Sequence, residues 1–117
     1  MPDYKVNDAA VKKARQLIAD GKVDTDTSWS DDSPSTDEQN AMVDQHGYDA
    51  FGEWHLAIDP DAGEETKSRY RFPYGDFTNV SRAGVIHAKQ RASQNGHRQV
   101  AEAAADLLRR IDDRGGA

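Results

Sequence analysis

Nine consecutive residues, Arg69-Tyr70-Arg71-Phe72-Pro73-Tyr74-Gly75-Asp76-Phe77, hold four of the nine aromatic side chains in this chain. Rings this large carry much of the apolar area that a small domain can bury, so the position of this segment largely sets the position of the core. Its backbone is equally restricted. Tyr70-Arg71-Phe72 has the composition of a β-strand. Pro73 has no N–H to give to a ladder, so the strand lies at a sheet edge or stops there. Gly75 permits the bend that follows. A long alanine-rich helical pattern comes next. Such a segment is expected to be the packing centre of a domain, and it can also present a contact surface.

The rest of the chain offers only a modest core. Its 117 residues suffice for one domain, 1–117, and are too few for two independent cores. Hydrophobic residues make up 36% and charged residues 31%, a balance that predicts a small core under a broad solvated surface. No apolar run approaches the ~18 residues of a membrane-spanning helix. Met1-Pro2-Asp3-Tyr4-Lys5 lacks the apolar stretch of a secretory signal. Cysteine is absent, which excludes disulfides, thiolate metal sites and cysteine nucleophiles, and fits a cytoplasmic protein. Charge is unevenly divided. Residues 1–63 hold 5 Lys+Arg and 14 Asp+Glu, net −9, while residues 64–117 hold 10 and 7, net +3, together giving −6. Such polarity can steer a partner, although two solvated faces explain it more simply.

Apolar residues Ala10, Val11, Ala14, Leu17 and Ile18 recur at helical spacing, and Asn7 or Asp8 can cap them. The spacing predicts a helix over 8–20, ended by Gly21 in the left-handed region. Residues 22–36 read as an acidic irregular loop anchored by Trp29. Ser35-Thr36-Asp37-Glu38 is a capping box and predicts a helix over about 36–46, stopped by Gly47. Tyr48, Phe51, Trp54 and His55 then fall three or four apart, as an aromatic stripe on one face of a further helix. The turn signal at Asp59-Pro60-Asp61-Ala62-Gly63 separates residues 55–58 from 69–72, which are expected to pair as a hairpin. Asn79 or Ser81 can cap a helix that Asn95-Gly96 stops. A last helix over about 97–112 carries Val100, Ala101, Ala104, Leu107, Leu108 and Ile111 on one stripe. The two form an antiparallel helical hairpin, followed by a frayed tail, 113–117. The fold class is α+β: mainly helical, with a small β-hairpin. The expected core comprises Leu17, Ile18, Trp54, Leu56, Tyr70, Phe72, Val85, Ile86, Val100, Leu107 and Ile111.

Three pieces carry a resemblance: Val6-Asn7-Asp8-Ala9-Ala10-Val11-Lys12-Lys13-Ala14-Arg15; Trp54-His55-Leu56 with Glu65-Thr66-Lys67-Ser68-Arg69-Tyr70; and Tyr74-Gly75-Asp76-Phe77 leading into Val80-Ser81-Arg82-Ala83-Gly84-Val85-Ile86. Together they resemble an uncharacterised family of small actinobacterial cytosolic proteins. The resemblance implies a cytosolic bacterial origin and carries no activity. Locally, residues 54–112, through Tyr70-Arg71-Phe72-Pro73 and the alanine-rich helix after it, are similar to a segment of phage head-assembly and protease-associated proteins. Phe72 replaces the aliphatic residue usual there, and no protease catalytic segment accompanies it. That likeness implies a hairpin followed by a helix.

The chemistry-bearing residues form no catalytic pattern. His46, His55, His87 and His97 include no i, i+4 pair, and there is no His-Glu-x-x-His string. His55 beside Trp54 reads as a hydrogen-bonded structural residue. Neither a nucleophile elbow, a phosphate loop nor a dinucleotide fingerprint is present, so the sequence calls for no cofactor or metal. The expectation is a non-enzymatic cytosolic protein-interaction module, with no membrane partner, that binds through Trp29, Arg71, Tyr74 and Phe77. Its partner is another protein or a second copy forming a homodimer. The alternative is a small DNA-associated protein using the basic face of the helical hairpin, Arg82, Lys89, Arg91 and Arg98.

Overall fold

The structure, a computed structural model, describes residues 4–115. Helices make up most of it, and the arrangement is the α+β domain expected. Strand β1 (Lys5–Val6) leads into α1 (Asp8–Ala19), β2 (Val23–Asp24), α2 (Trp29–Asp32) and α3 (Thr36–Gly52). Strand β3 (His55–Ile58), a 3₁₀ turn at Lys67–Arg69, β4 (Tyr70–Pro73) and β5 (Val80–Ser81) precede the helical hairpin α4 (Arg82–Gln94) and α5 (Arg98–Gly115).

The hairpin forms with His55 opposite Pro73, Ala57 opposite Arg71 and Ile58 opposite Tyr70. β4 is an edge strand and ends at the proline. A third strand joins on the far side, where Lys5 pairs with Ile58 and Val6 with Ala57. β2 and β5 form a separate two-stranded parallel sheet. Both additions escape a reading of the sequence because two-residue strands have no period to detect.

The punctuation residues behave as their chemistry requires. Gly21 takes φ 77°, and the N–H of Lys22 returns to the carbonyl of Leu17 at 2.9 Å, closing α1. Ser35 and Glu38 make both bonds of the capping box, each 3.1 Å. Gly47 at φ 86° breaks α3 in two. The Ser81 hydroxyl accepts from the Gly84 N–H at 3.0 Å and starts α4. α4 and α5 pack antiparallel through buried Ala88, Ala92 and Ala104, small residues that let the two axes approach.

Four expectations are corrected. The helix expected after Gly47 holds Tyr48 and Phe51 of the aromatic stripe but not Trp54 and His55: α3 ends at Gly52, Trp54 lies in the turn that follows, and His55 begins β3. Burial of Trp54 against Tyr74 and the pairing of His55 with Pro73 outweigh helical spacing. The 22–36 loop contains β2 and one turn of helix, α2. α5 runs through Asp113 and Arg114 to Gly115 rather than fraying from 113; residues 116–117 lie outside the described residues. Leu17, Tyr70, Phe72 and Ile86 are only half-buried, whereas Tyr74, Phe51 and Val80 are fully buried.

One polar residue ties the sheet to α3. Asn7 precedes α1 but makes no side-chain cap. Its buried amide instead donates to the Gly52 carbonyl at 2.9 Å and the His55 carbonyl at 3.2 Å. That satisfies the Gly52 carbonyl at the end of α3, where the helix leaves its own unpaired, and a second carbonyl at the start of β3.

Candidate binding groove

The aromatic segment divides between core and surface. Tyr74 is fully buried, stacked on Trp54 with ring centroids 5.5 Å apart, and its hydroxyl donates to the Glu53 carbonyl at 2.8 Å. Burial pushes its phenol pKa upward. Tyr74 is therefore a core residue, which corrects its assignment as a contact. Phe77 is half-buried and packs on Phe51 and Trp54, 5.9 and 6.0 Å away. It sits at φ 71°, in a turn held by the Asp76 carboxylate, which accepts from the N–H groups of Thr78 and Asn79 at 3.0 and 2.7 Å.

The other two candidates come together. Trp29 and Arg71 line one groove of about 660 Å³ with Tyr4, Ser33, Phe72, Pro73, His87, Arg91, Asn95, Gly96 and His97. β4 and Tyr4, just before β1, supply one wall, and α4, its C-terminal turn and Trp29 of α2 supply the other. No Asp or Glu lines it among the described residues.

Each side chain there has a physical reason for its position. Trp29 lies over Gly84, where a Cβ would meet the indole at 2.6 Å, so glycine makes room for the ring. Trp29 thus anchors its loop and shows its remaining edge to the groove, 6.5 Å from the ring of His87. His87, Arg91 and Asn95 are four apart on α4 and share a face. The Asn95 side chain donates to the Arg91 carbonyl at 2.9 Å. Across the groove the Tyr4 ring stacks on His97 at 4.6 Å. Phe72 meets both edge-on, at 6.1 and 5.7 Å. Arg71 holds its guanidinium over Tyr4, 5.6 Å from the ring centroid, with Nε donating to the Ser68 carbonyl at 3.0 Å. Its two terminal amino groups remain for a ligand.

Two features bear on this groove, a strained backbone position that Phe77 outside it shares, and its charge. Phe72 sits at φ 64°, in the left-handed region, which costs a bulky non-glycine residue of order 1–3 kcal/mol. Such strain tends to collect at binding and catalytic sites. The second is charge. Arg15, Arg109 and Arg110 pair with Asp106, and Arg82 pairs with Asp112 through a two-bond fork at 2.8 and 3.2 Å. Arg71 and Arg91, like Arg69, Arg98 and Arg114, make no ion pair among the described residues; the first two also share one groove with no described acid in its lining.

The four residues of the nucleic-acid alternative are not gathered. Arg82 is held by Asp112 and Arg91 faces the groove. Lys89 and Arg98 line a different cleft of about 430 Å³, together with Glu102.

His55 lies outside the groove. It is buried, and its Nδ1 lies 3.0 Å from the Phe51 carbonyl; because a carbonyl only accepts, Nδ1 carries the proton. Desolvation lowers its pKa to about 4, against the opposing effect of that bond. Among the described residues, no group of three or more His, Asp or Glu is placed to hold a metal ion, and no helix is long and apolar enough to cross a membrane. No protein-family model, curated protein or solved structure matches the chain.

The periodicity of α4 could have shown that His87, Arg91 and Asn95 share a face. Tyr4 and His97 carry no such signal, because only the closing of the sheet against the helical hairpin brings them together.

Proposed function

We propose that the protein is a non-enzymatic cytosolic interaction module that holds an acidic segment of a partner protein in the groove between β4 and α4. The single observation that carries this reading is the pair of guanidiniums, Arg71 and Arg91, without an ion pair among the described residues, facing one aromatic-walled groove with no acid in its described lining. Guanidinium forks recognise carboxylates in a fixed planar geometry. Stacking on Tyr4 pre-orders Arg71, so less freedom is lost on binding. The volume lies in the usual range for binding sites, ~300–1,000 Å³. The cytosolic setting accords with the absence of cysteine from the sequence.

The test is retention of degenerate peptide libraries on immobilised protein, one rich in Asp and Glu and one rich in Lys and Arg. The acidic library is expected to be retained at low salt and released as salt rises. Retention should fall in Arg71→Ala and Arg91→Ala, both exposed positions whose truncation leaves the core intact. Equal retention of the two libraries, or acidic retention untouched by either substitution, refutes the reading.

The DNA-associated alternative has weaker support, since Arg82 is already neutralised and Glu102 shares the cleft of Lys89 and Arg98. Light scattering on a sizing column, with and without duplex DNA at low salt, tests it. The same run reports the mass, and so whether the partner is a second copy.

A further inference from the structure

Resting on the reading above, we infer that the acidic group this groove is built for is a phosphate monoester on the partner segment, rather than the carboxylate of an Asp or Glu. The inference begins with charge balance. Two guanidiniums line one groove and neither is paired with an acid among the described residues, whereas Arg15, Arg82, Arg109 and Arg110 are paired with Asp106 or Asp112 and the unpaired Arg98 shares its cleft with Glu102. A single carboxylate brings one negative charge and two oxygens, enough to occupy one fork. A phosphate monoester brings about −1.5 to −2 at neutral pH and three acceptor oxygens, enough for both.

The remaining donors favour the same group. His87 lies one turn before Arg91 on the same face of α4 and adds an imidazole nitrogen to the lining, as His97 does from the turn that follows that helix. Recognition of phosphorylated segments by arginine clusters is a recurring mode of peptide binding. The walls add an apolar component. Tyr4, Trp29, Phe72 and Pro73 stand beside the forks, and an aryl phosphate would place its ring on them while its dianion reaches the arginines. Arg71 is already oriented from behind by the Ser68 carbonyl and from below by Tyr4, so its free amino groups meet the ligand at low entropic cost.

The probes are one degenerate acidic peptide library with tyrosine fixed at its centre, the same library with phosphotyrosine there, and a serine and phosphoserine pair of equal design. Inorganic phosphate is the fifth probe. The expected result is retention of at least one phosphorylated library about tenfold or more above its unphosphorylated twin, the worth of one added charge-assisted hydrogen bond. That preference should vanish in both Arg71→Ala and Arg91→Ala, and Arg71→Lys should fail to restore it, because an ammonium lacks the fork. Thermal melts of the variants check that each is folded. If phosphorylated and unphosphorylated acidic libraries are retained equally, the inference falls while the acidic-segment reading stands. If no acidic library is retained, both fall. If inorganic phosphate binds as tightly as the phosphopeptides, the ligand is a free phosphate and the peptide-borne group is refuted.

Discussion

Acidification should destabilise this protein in a pH window set by one buried side chain, His55. The ring is buried, wedged against Phe51 with centroids 4.5 Å apart, and its one bonded nitrogen faces a carbonyl. In the unfolded chain the imidazole takes up a proton near 6.5; in the folded protein that pKa falls to about 4, chiefly through desolvation. The unfolded state therefore binds the proton first. Stability is fully present above about pH 6.5, declines as pH falls towards 4, and is no longer lost to this group below that. At about 1.4 kcal/mol for each pH unit between the two values, the loss amounts to about 3 kcal/mol, against a total stability of ~5–15 kcal/mol for a small domain. Asp24, Asp106 and Asp112 have pKa values lowered by hydrogen bonds from Thr27, Arg110 and Arg82 respectively. Their contributions disappear at lower pH, below about 4, so the two windows separate. Urea denaturation at a series of pH values from 7 to 4 measures the slope. His55→Asn keeps a donor near the Nδ1 position and removes the titration. It should start less stable, because the packing on Phe51 is lost, and show a profile between pH 6.5 and 4.5 that is flat apart from any rise as Asp32 protonates. A wild-type profile that is equally flat there, or a variant with the same slope as wild type, would refute the reasoning.

Further outcomes follow from other buried contacts. Tyr74→Phe keeps the ring on Trp54 but leaves the Glu53 carbonyl without its donor, at an expected cost of about 1–3 kcal/mol in chemical denaturation. Gly84→Ala sets a methyl group against the Trp29 indole; the ring should be pushed toward solvent, seen as a red-shifted tryptophan emission and weaker retention of the acidic library. Asp32→Asn should raise the melting temperature at neutral pH. Its Oδ2 is buried without a partner, and desolvation raises its pKa, with Asp24 adding to the rise. Ionised Asp32 is therefore destabilising, and the advantage of asparagine should shrink as pH falls and the carboxyl protonates.

Local chemistry determined much of this protein from sequence alone. Gly21, the Ser35–Glu38 box, Gly47, Ser81 and Gly96 each act through their own backbone or residues within a few positions, so the helix boundaries were legible. So were the hairpin between β3 and β4 and the stripe on α5, whose periods extend over enough residues to be read. The tertiary structure decided the rest. Trp54 and His55 continue a helical spacing, yet Trp54 lies in the turn after α3, stacked on Tyr74, and His55 begins β3, paired with β4. Tyr74 and Arg71 are three residues apart in one aromatic segment, and the strained backbone at Phe72 within the edge strand β4 accompanies one entering the core and the other the groove. The groove itself joins Tyr4, Trp29, Arg71, Arg91 and His97 from five separate parts of the chain. No periodicity links such residues, because their proximity is created only when the sheet packs against the helical hairpin.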